Sequence, residues 1–420
     1  MAKERNHVLR DLMVARRLTL EGLAEDLCEM ALILGRDPAK ISARHVGRWV
    51  SGEVLWPWDR HRELLEAVLG RPAEELGFVP PPGRRRTMVP SGPSSEGTSV
   101  LRRNFIIGLG AAAALPPLPD AGRLGHADVD AIRAATDRLG TLDDQHGGAE
   151  VVTIAAAYVH HVEQAARTCT YGGTVQSRLH QALGELAAST GWFAYDAGLQ
   201  EDARRWWDLG LRYATLAGDV MLQARIWCCM SRQACDLGHG GEAVALARVA
   251  LDRTRARRDG RLSALLHTRV ALGHSLSGER SRVGQSLHRA DQALDRAPET
   301  TVPWLSFCGP AELVGQAALC DYNLGRFEDA ADRDVDAVAL LPTGFGRNSF
   351  ATQVSLARNC LAAGRTEEAL DAGERAVDLL PTVKSPRWAA HLADFARAVQ
   401  HHGPSATGAD FAERYRAAVQ

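Results

Sequence analysis

Apolar residues recur along the chain at helical spacing, first in a short cluster and then in a long repeat. Near the amino terminus, Val8, Leu9, Leu12 and Met13 fall at the three- and four-residue intervals that share one helix face. They predict a first helix from about Asn6 to Arg17. Thr19 stands where its hydroxyl would cap a second helix, with Leu20, Leu23, Ala24 and Leu27 as the buried face. Gly35-Arg-Asp-Pro38 breaks the pattern. Ser42 is placed to cap a third helix, which Gly52 should end, because glycine is favoured just past a helix terminus.

After residue 120 a turn-plus-helix pattern repeats as Gly198-Leu-Gln-Glu-Asp-Ala203, Gly238-His-Gly-Gly-Glu-Ala243, Gly325-Arg-Phe-Glu-Asp-Ala330 and Gly364-Arg-Thr-Glu-Glu-Ala369. The alanines are 40, 87 and 39 residues apart, so the middle interval holds two units, and Ser277-Gly-Glu-Arg280 marks the turn between them. The glycine lets the chain leave one helix and the alanine lets the next pack closely. Helix pairs are expected over 174–217, 220–258, 260–297, 309–341 and 347–380. A helix near 150–167 would precede them, and helices near 386–402 and 408–419 would close the array. The expected fold class is all-α: a small helix-turn-helix bundle followed by an α-solenoid of tetratricopeptide-like pairs, longer than the usual unit of about 34 residues.

Composition supports the helical reading without adding to it. Alanine, leucine and arginine dominate, with few β-branched or aromatic runs. A net charge of -2 gives no global sign of a nucleic-acid partner, so any basic site must be local. Eight cysteines are scattered without a C-x-x-C pair, which predicts reduced, buried thiols in a cytoplasmic protein and no metal or cofactor. Residues 80–100, rich in proline and carrying Arg84, Arg85 and Arg86, read as a linker. The following Leu101-Arg-Arg-Asn-Phe-Ile-Ile-Gly-Leu-Gly-Ala-Ala-Ala-Ala-Leu115 resembles a twin-arginine signal. It is shorter than the roughly 20 apolar residues a membrane span needs, and a linker segment docked on the second domain is expected instead. The expected domains are 1–79, the linker 80–120, and the repeat region 121–420.

The third helix carries the chemistry. At about 100° per residue, Val46, Trp49 and Val50 turn to the core, while Arg44, Gly47, Arg48 and Ser51 lie opposite with His45 on the flank. Between Arg36 and Arg48 stand four Arg or Lys residues and one Asp. A guanidinium fork bonds guanine O6 and N7 together, or grips phosphate. With the cap residues Thr19 and Ser42, these make the candidate DNA-contacting set. A surface helix with two solvated arginines is the plain alternative.

Leu18-Thr-Leu-Glu-Gly-Leu-Ala24, Val46-Gly-Arg-Trp-Val-Ser-Gly52, Trp-Pro-Trp at 56–58 and Glu74-Glu-Leu-Gly-Phe78 together resemble the Xre-type helix-turn-helix regulators, especially a long-loop variant common in actinobacteria. The resemblance implies binding of double-stranded DNA by the third helix. The chain departs from the family at Val50, where glutamate is more usual, and in the longer segment from Cys28 to Ile41. Domain order and repeats also resemble the peptide-responsive quorum-sensing regulators of Gram-positive bacteria. That likeness implies a homodimer whose repeat region takes a signalling peptide, a small molecule or a protein partner.

Within the repeats, Gln233, Asn323 and Asn359 are the candidate ligand contacts, since a carboxamide both donates to and accepts from an extended peptide backbone. Trp192, Trp206, Trp207, Trp227, Trp304 and Trp388 read first as inter-helix core. A protein-interaction scaffold with a degenerate helix-turn-helix is the rival reading. No H-E-x-x-H, G-x-x-x-x-G-K-[ST] or G-x-S-x-G pattern occurs, and the adjacent pairs His160-His161 and His401-His402 suit a shared metal poorly, so no enzyme is expected.

Overall fold

The computed structural model describes residues 6–15, 18–33, 41–69, 73–79, 115–146, 148–255, 259–298, 302–342, 346–383, 385–401 and 406–419. The linker at 80–100, the Gly35–Pro38 break and the twin-arginine-like stretch up to Ala114 lie outside them. The described residues are all-α apart from a single two-residue strand pair, and the chain divides into the units Met1–Ile107 and Gly108–Gln420.

The first unit holds α1 (His7–Ala15), α2 (Leu20–Ile33), α3 (Ala43–Val50), α4 (Asp59–Leu69) and a 3-10 turn at Ala73–Leu76. Its core gathers Leu9, Met13, Leu23, Leu27, Ile41, Val46, Trp49, Leu65, Leu69 and Phe78. Asn6 ties its ends together. Its Nδ2 donates to the Leu76 carbonyl at 2.9 Å, its Oδ1 accepts from the Leu9 amide at 3.0 Å, and its amide donates to the Val50 carbonyl at 3.1 Å. One buried asparagine thus caps α1 and fixes it to the end of α3.

The second unit opens with a parallel pair, β1 (Gly122–Arg123) and β2 (Cys169–Thr170). Two helices, α5 (His126–His146) and α6 (Gly148–Thr168), precede the array. The pairs are α7 (Gly173–Asp196) with α8 (Gln200–Leu216), α9 (Val220–Asp236) with α10 (Gly240–Thr254), and α11 (Gly260–Leu276) with α12 (Arg280–Leu294). Then come α13 (Pro310–Asn323) with α14 (Phe327–Leu340), α15 (Gly346–Ala362) with α16 (Thr366–Leu379), and α17 (Pro386–His401) with α18 (Ala406–Ala418). Each helix packs on its pair-mate, and first helices of successive pairs pack on each other. This is the expected solenoid of helix pairs.

The repeated turn works as its composition implies. Gly198, Gly238, Gly278, Gly325 and Gly364 all take positive φ, between 71° and 83°, where a side chain would be strained. Five residues later, Ala203, Ala243, Ala330 and Ala369 are 0% exposed, and Val283 fills the fifth such position at 1%. Trp207 is fully buried, its Nε1 donating to the Ala188 carbonyl at 3.2 Å. It occupies space that Gly191 leaves open, since a Cβ there would lie 2.4 Å from the indole. Trp192, Trp206, Trp227, Trp304 and Trp388 pack partly buried against the cores.

The helix at 126–146 has no counterpart in the expected elements. Its stripe is sparse, Val129, Ile132, Ala135 and Leu139 between polar residues, yet all four are 0% exposed. Residues just after the undescribed stretch dock on α6: His161 Nε2 accepts from the Leu118 amide at 3.1 Å, and Leu115 packs on the same core. Among the described residues, no helix is long and apolar enough to cross a membrane, and no three His, Cys, Asp or Glu side chains gather as metal ligands.

Candidate functional site

In the first unit, Val46 (0% exposed) and Trp49 (3%) pin α3 to the core, while Val50 is only half-buried. The opposite side lines a shallow concavity with Leu20, Ala43, Arg44, His45, Gly47, Arg48, Ser51 and Glu53. Five of the seven candidate DNA-contacting residues therefore share one surface, and Leu20 of α2 forms its wall. The other two, Thr19 and Ser42, act at helix starts. Thr19 Oγ1 accepts from the Gly22 amide at 3.0 Å. At Ser42 the capping box is closed by His45, whose Nδ1 accepts from the Ser42 amide at 3.2 Å and lies 3.0 Å from its Oγ. His45 thus takes the place usually held by Glu or Gln in such a box, a role its position did not announce.

Electrostatics on this face are mixed. Arg44 is exposed and has no carboxylate partner among the described residues, whereas Arg48 Nε sits 3.2 Å from Glu53 Oε2, both side chains near half-exposed. Glu53 reaches Arg48 because Gly52 turns the chain at φ 74°, with the Glu53 amide donating to the Arg48 carbonyl at 2.9 Å. Behind the face, His61 lies against Trp49, ring centroids 5.7 Å apart; burial, then Arg60 and His45, hold its imidazole below the usual range. Gly47 is not forced by packing. An added Cβ would meet only Leu20 Cδ1, at 3.8 Å, an ordinary contact.

In the repeat unit the three candidate carboxamides are not brought together. Gln233 is 3% exposed, and its Nε2 donates to the Gln200 carbonyl at 2.8 Å, joining α9 to the start of α8. Asn359 is 2% exposed, donating to Asp334 Oδ2 at 2.7 Å. Asn323 is exposed and donates to Ser275 Oγ at 2.9 Å.

What the first helices do share is a chain of charged side chains. Ser385 Oγ donates to Asp196 Oδ1 at 2.8 Å, across 189 residues of sequence. Arg387 lies 3.6 Å from both Asp196 and Asp236, and its guanidinium is 4.7 Å from the Tyr195 ring centroid and 4.9 Å from Trp388. Tyr195 donates to Asp236, which Arg232 Nε contacts at 3.1 Å. Arg232 Nη1 also donates to Gln316 Oε1 at 3.3 Å, and Arg269 Nη1 to the same oxygen at 2.8 Å, with Gln316 in turn bonded to Glu312. The network joins α7, α9, α11, α13 and α17. A second tie, Arg347 Nη1 to Asp143 Oδ2 at 2.9 Å, spans 204 residues between α15 and α5. The array therefore curls until late helices bond early ones.

Three arginines and three carboxylates balance along this network. Burial would raise the Asp236 carboxyl, but Arg232 and Arg387 outweigh it and hold it below the usual carboxylate range. Burial, with Asp236 beside it, pushes Tyr195 up to about 12. Hydrogen bonding is incomplete. Arg387 Nε and Nη1, Arg269 Nε and Asp196 Oδ2 are buried and find no hydrogen-bond partner among the described residues. Sequence spacing nearly found this site: Arg232, next to Gln233, is turned about 100° from it and so faces the network instead. Arg387 and Asp196 carry no such signal, because only the curl of the array brings them together.

Fold and sites together define an all-α chain with a basic helix exposed on a small bundle and, separately, an array of paired helices with a charged inner network. No protein-family profile matches the chain, and no curated protein matches it. Among solved structures it is similar to the apo form of the quorum sensor NprR from B. thuringiensis, at 14% identity and a TM-score of 0.41 over 75% of this chain and 85% of that one. At that distance no residue role transfers.

Proposed function

We propose that the chain is a DNA-binding transcriptional regulator, with α3 as its reading helix and the repeat unit as the receptor for a peptide or small-molecule effector. The observation that supports it best is the α3 face. Arg44, Gly47, Arg48 and Ser51 stand exposed or half-exposed on one surface while Val46 and Trp49 lock the helix behind them. Arg44 and Arg48 supply forks for guanine or phosphate. Gly47 leaves the helix backbone open to close approach.

On the receptor side, an effector would bind where buried groups have unused capacity. Arg387 and Arg269 have N–H groups for a carboxylate or carbonyl, and Asp196 has an acceptor for an amide. Binding there competes with bonds that hold α17 to α7, so it favours one curl of the array over another; only such unequal binding shifts the equilibrium. In a homodimer, that change would alter the spacing of two reading helices along the duplex.

Selection of bound sequences from a random duplex pool by the full chain tests the reading. Enrichment of a palindrome with half-sites about one helical turn apart supports a dimeric regulator. Failure to enrich any sequence rejects it. The Arg48–Glu53 pair favours a second reading, a protein-interaction scaffold whose helix-turn-helix no longer binds DNA; the same selection separates the two.

A further inference from the structure

The helix that sends Arg269 into the inner network turns a different chemistry outward. His267, Val270 and His274 lie on α11 at intervals of three and four, turned roughly 100–160° around the helix from Arg269. They form the floor of a concavity of about 280 Å³ whose walls are Arg248 and Leu251 of α10 and Arg282, Gln285, Ser286 and Arg289 of α12. No carboxylate lines it.

The positive charge there is poorly matched. Glu279, at the start of α12, serves two groups: Arg282 Nη1 at 2.6 Å and His274 Nδ1 at 3.4 Å. Arg248 Nη2 rests 3.4 Å from His274 Nε2, and neither Arg248 nor Arg289 has an ion pair among the described residues. Three guanidinium groups and two imidazoles thus line one concavity, and Glu279, which pairs with two of these five, lies outside the lining. An anion entering the concavity would meet these cations with no carboxylate on its wall. His274 is 5% exposed, so its ring is fixed by packing, and does not swing in solvent. Burial, then Arg289, hold the His267 imidazole below its usual range; as a neutral ring it still offers one N–H donor.

We propose that this concavity binds a phosphorylated small molecule, its phosphate gripped by Arg248 and Arg289 above the two imidazoles. Arginine forks match the tetrahedral oxygens of a phosphate, and charge-assisted bonds of this kind are the strong ones. Leu251 and Val270 supply a short apolar strip for the carbon skeleton, and the volume suits a small metabolite. The site is independent of the α3 face and of the inner network, so it stands or falls apart from the regulatory reading.

Isothermal titration calorimetry of the full chain with ribose 5-phosphate and with inorganic phosphate, at constant ionic strength, tests it. Both arginines are exposed, so the Arg248→Gln, Arg289→Gln double variant should fold normally; Arg253→Gln, on α10 outside the lining, is the control. Saturable binding that is tighter for the sugar phosphate, weakened at least about tenfold in the double variant and unchanged in the control is expected. Absence of saturable heat, or equal binding by the double variant, overturns the proposal. Inorganic phosphate binding as tightly as the sugar phosphate overturns the assignment of the carbon skeleton. Competition by duplex DNA of arbitrary sequence, in an Arg44→Ala, Arg48→Ala background, overturns it in favour of a nucleic-acid backbone.

Discussion

Arginine carries the chemistry in both units, but α3 and the inner face of the array hold it in opposite ways. On α3, Arg44 is solvated and Arg48 has one half-exposed carboxylate partner. In the array, the Arg232, Arg269 and Arg387 side chains are only 8–12% exposed and shared among Asp196, Asp236, Gln316 and Glu312. The first arrangement gives up little to bind an anion, because surface ion pairs are worth roughly 0–1 kcal/mol. The second has internal partners that any ligand must replace, because an uncompensated buried charge costs several kcal/mol. A surface of the first kind suits rapid docking on a polyanion. A network of the second kind suits a switch between two arrangements.

Removing one carboxylate from the inner network should show the difference most strongly. Asp196→Ala strips Arg387 and Ser385 of a fully buried partner, with an expected stability loss of roughly 3–5 kcal/mol in chemical denaturation and faster amide exchange in α17. A loss below about 1 kcal/mol would mean that the network holds nothing closed.

The array also contains a buried carboxylate with no ion pair among the described residues. Asp334 is 1% exposed, and burial, only partly offset by Ser355, Asn359 and Arg358, raises its pKa from 3.8 to about 7. A raised carboxyl binds its proton more tightly when folded, so this contribution is full below pH 3.8 and is lost as pH rises through about 7. Asp334→Asn should remove that decline, on the order of a few kcal/mol between pH 5 and 8. Parallel denaturation curves for wild type and variant across that range would disprove it.

Smaller effects are expected on α3. Gly47→Ala has room for its methyl and should stabilise the bundle by up to about 1 kcal/mol, yet weaken DNA binding by blocking the helix backbone. Thermal melting and fluorescence anisotropy read the two separately; unchanged affinity would free Gly47 of any role at DNA. Glu53→Gln should release Arg48 and tighten DNA binding a few-fold, with almost no change in stability. Weaker binding would show instead that the pair positions Arg48.

The solenoid was legible because its information is local. Each turn glycine and the alanine five residues later act within one pair, so their spacing in the chain is their spacing in space. The α3 face was legible for the same reason, since one helix decides which side Arg44 and Arg48 occupy. Gln233 and Asn359 look like ligand contacts in sequence because an amide's chemistry is visible there and its neighbour is not; in the fold each is spent on a contact 33 or 25 residues away. The inner network was invisible for a stronger reason. Asp196 meets Ser385, and Asp143 meets Arg347, only through the accumulated rotation of many pairs.

The affinity of the full chain for its selected duplex, measured by fluorescence anisotropy at fixed salt with and without Arg44→Ala, Arg48→Ala, tests the central claim most directly. If α3 reads DNA, the double variant loses at least about tenfold in affinity, and the slope of log affinity against log salt becomes shallower. An unchanged affinity and an unchanged slope would contradict it.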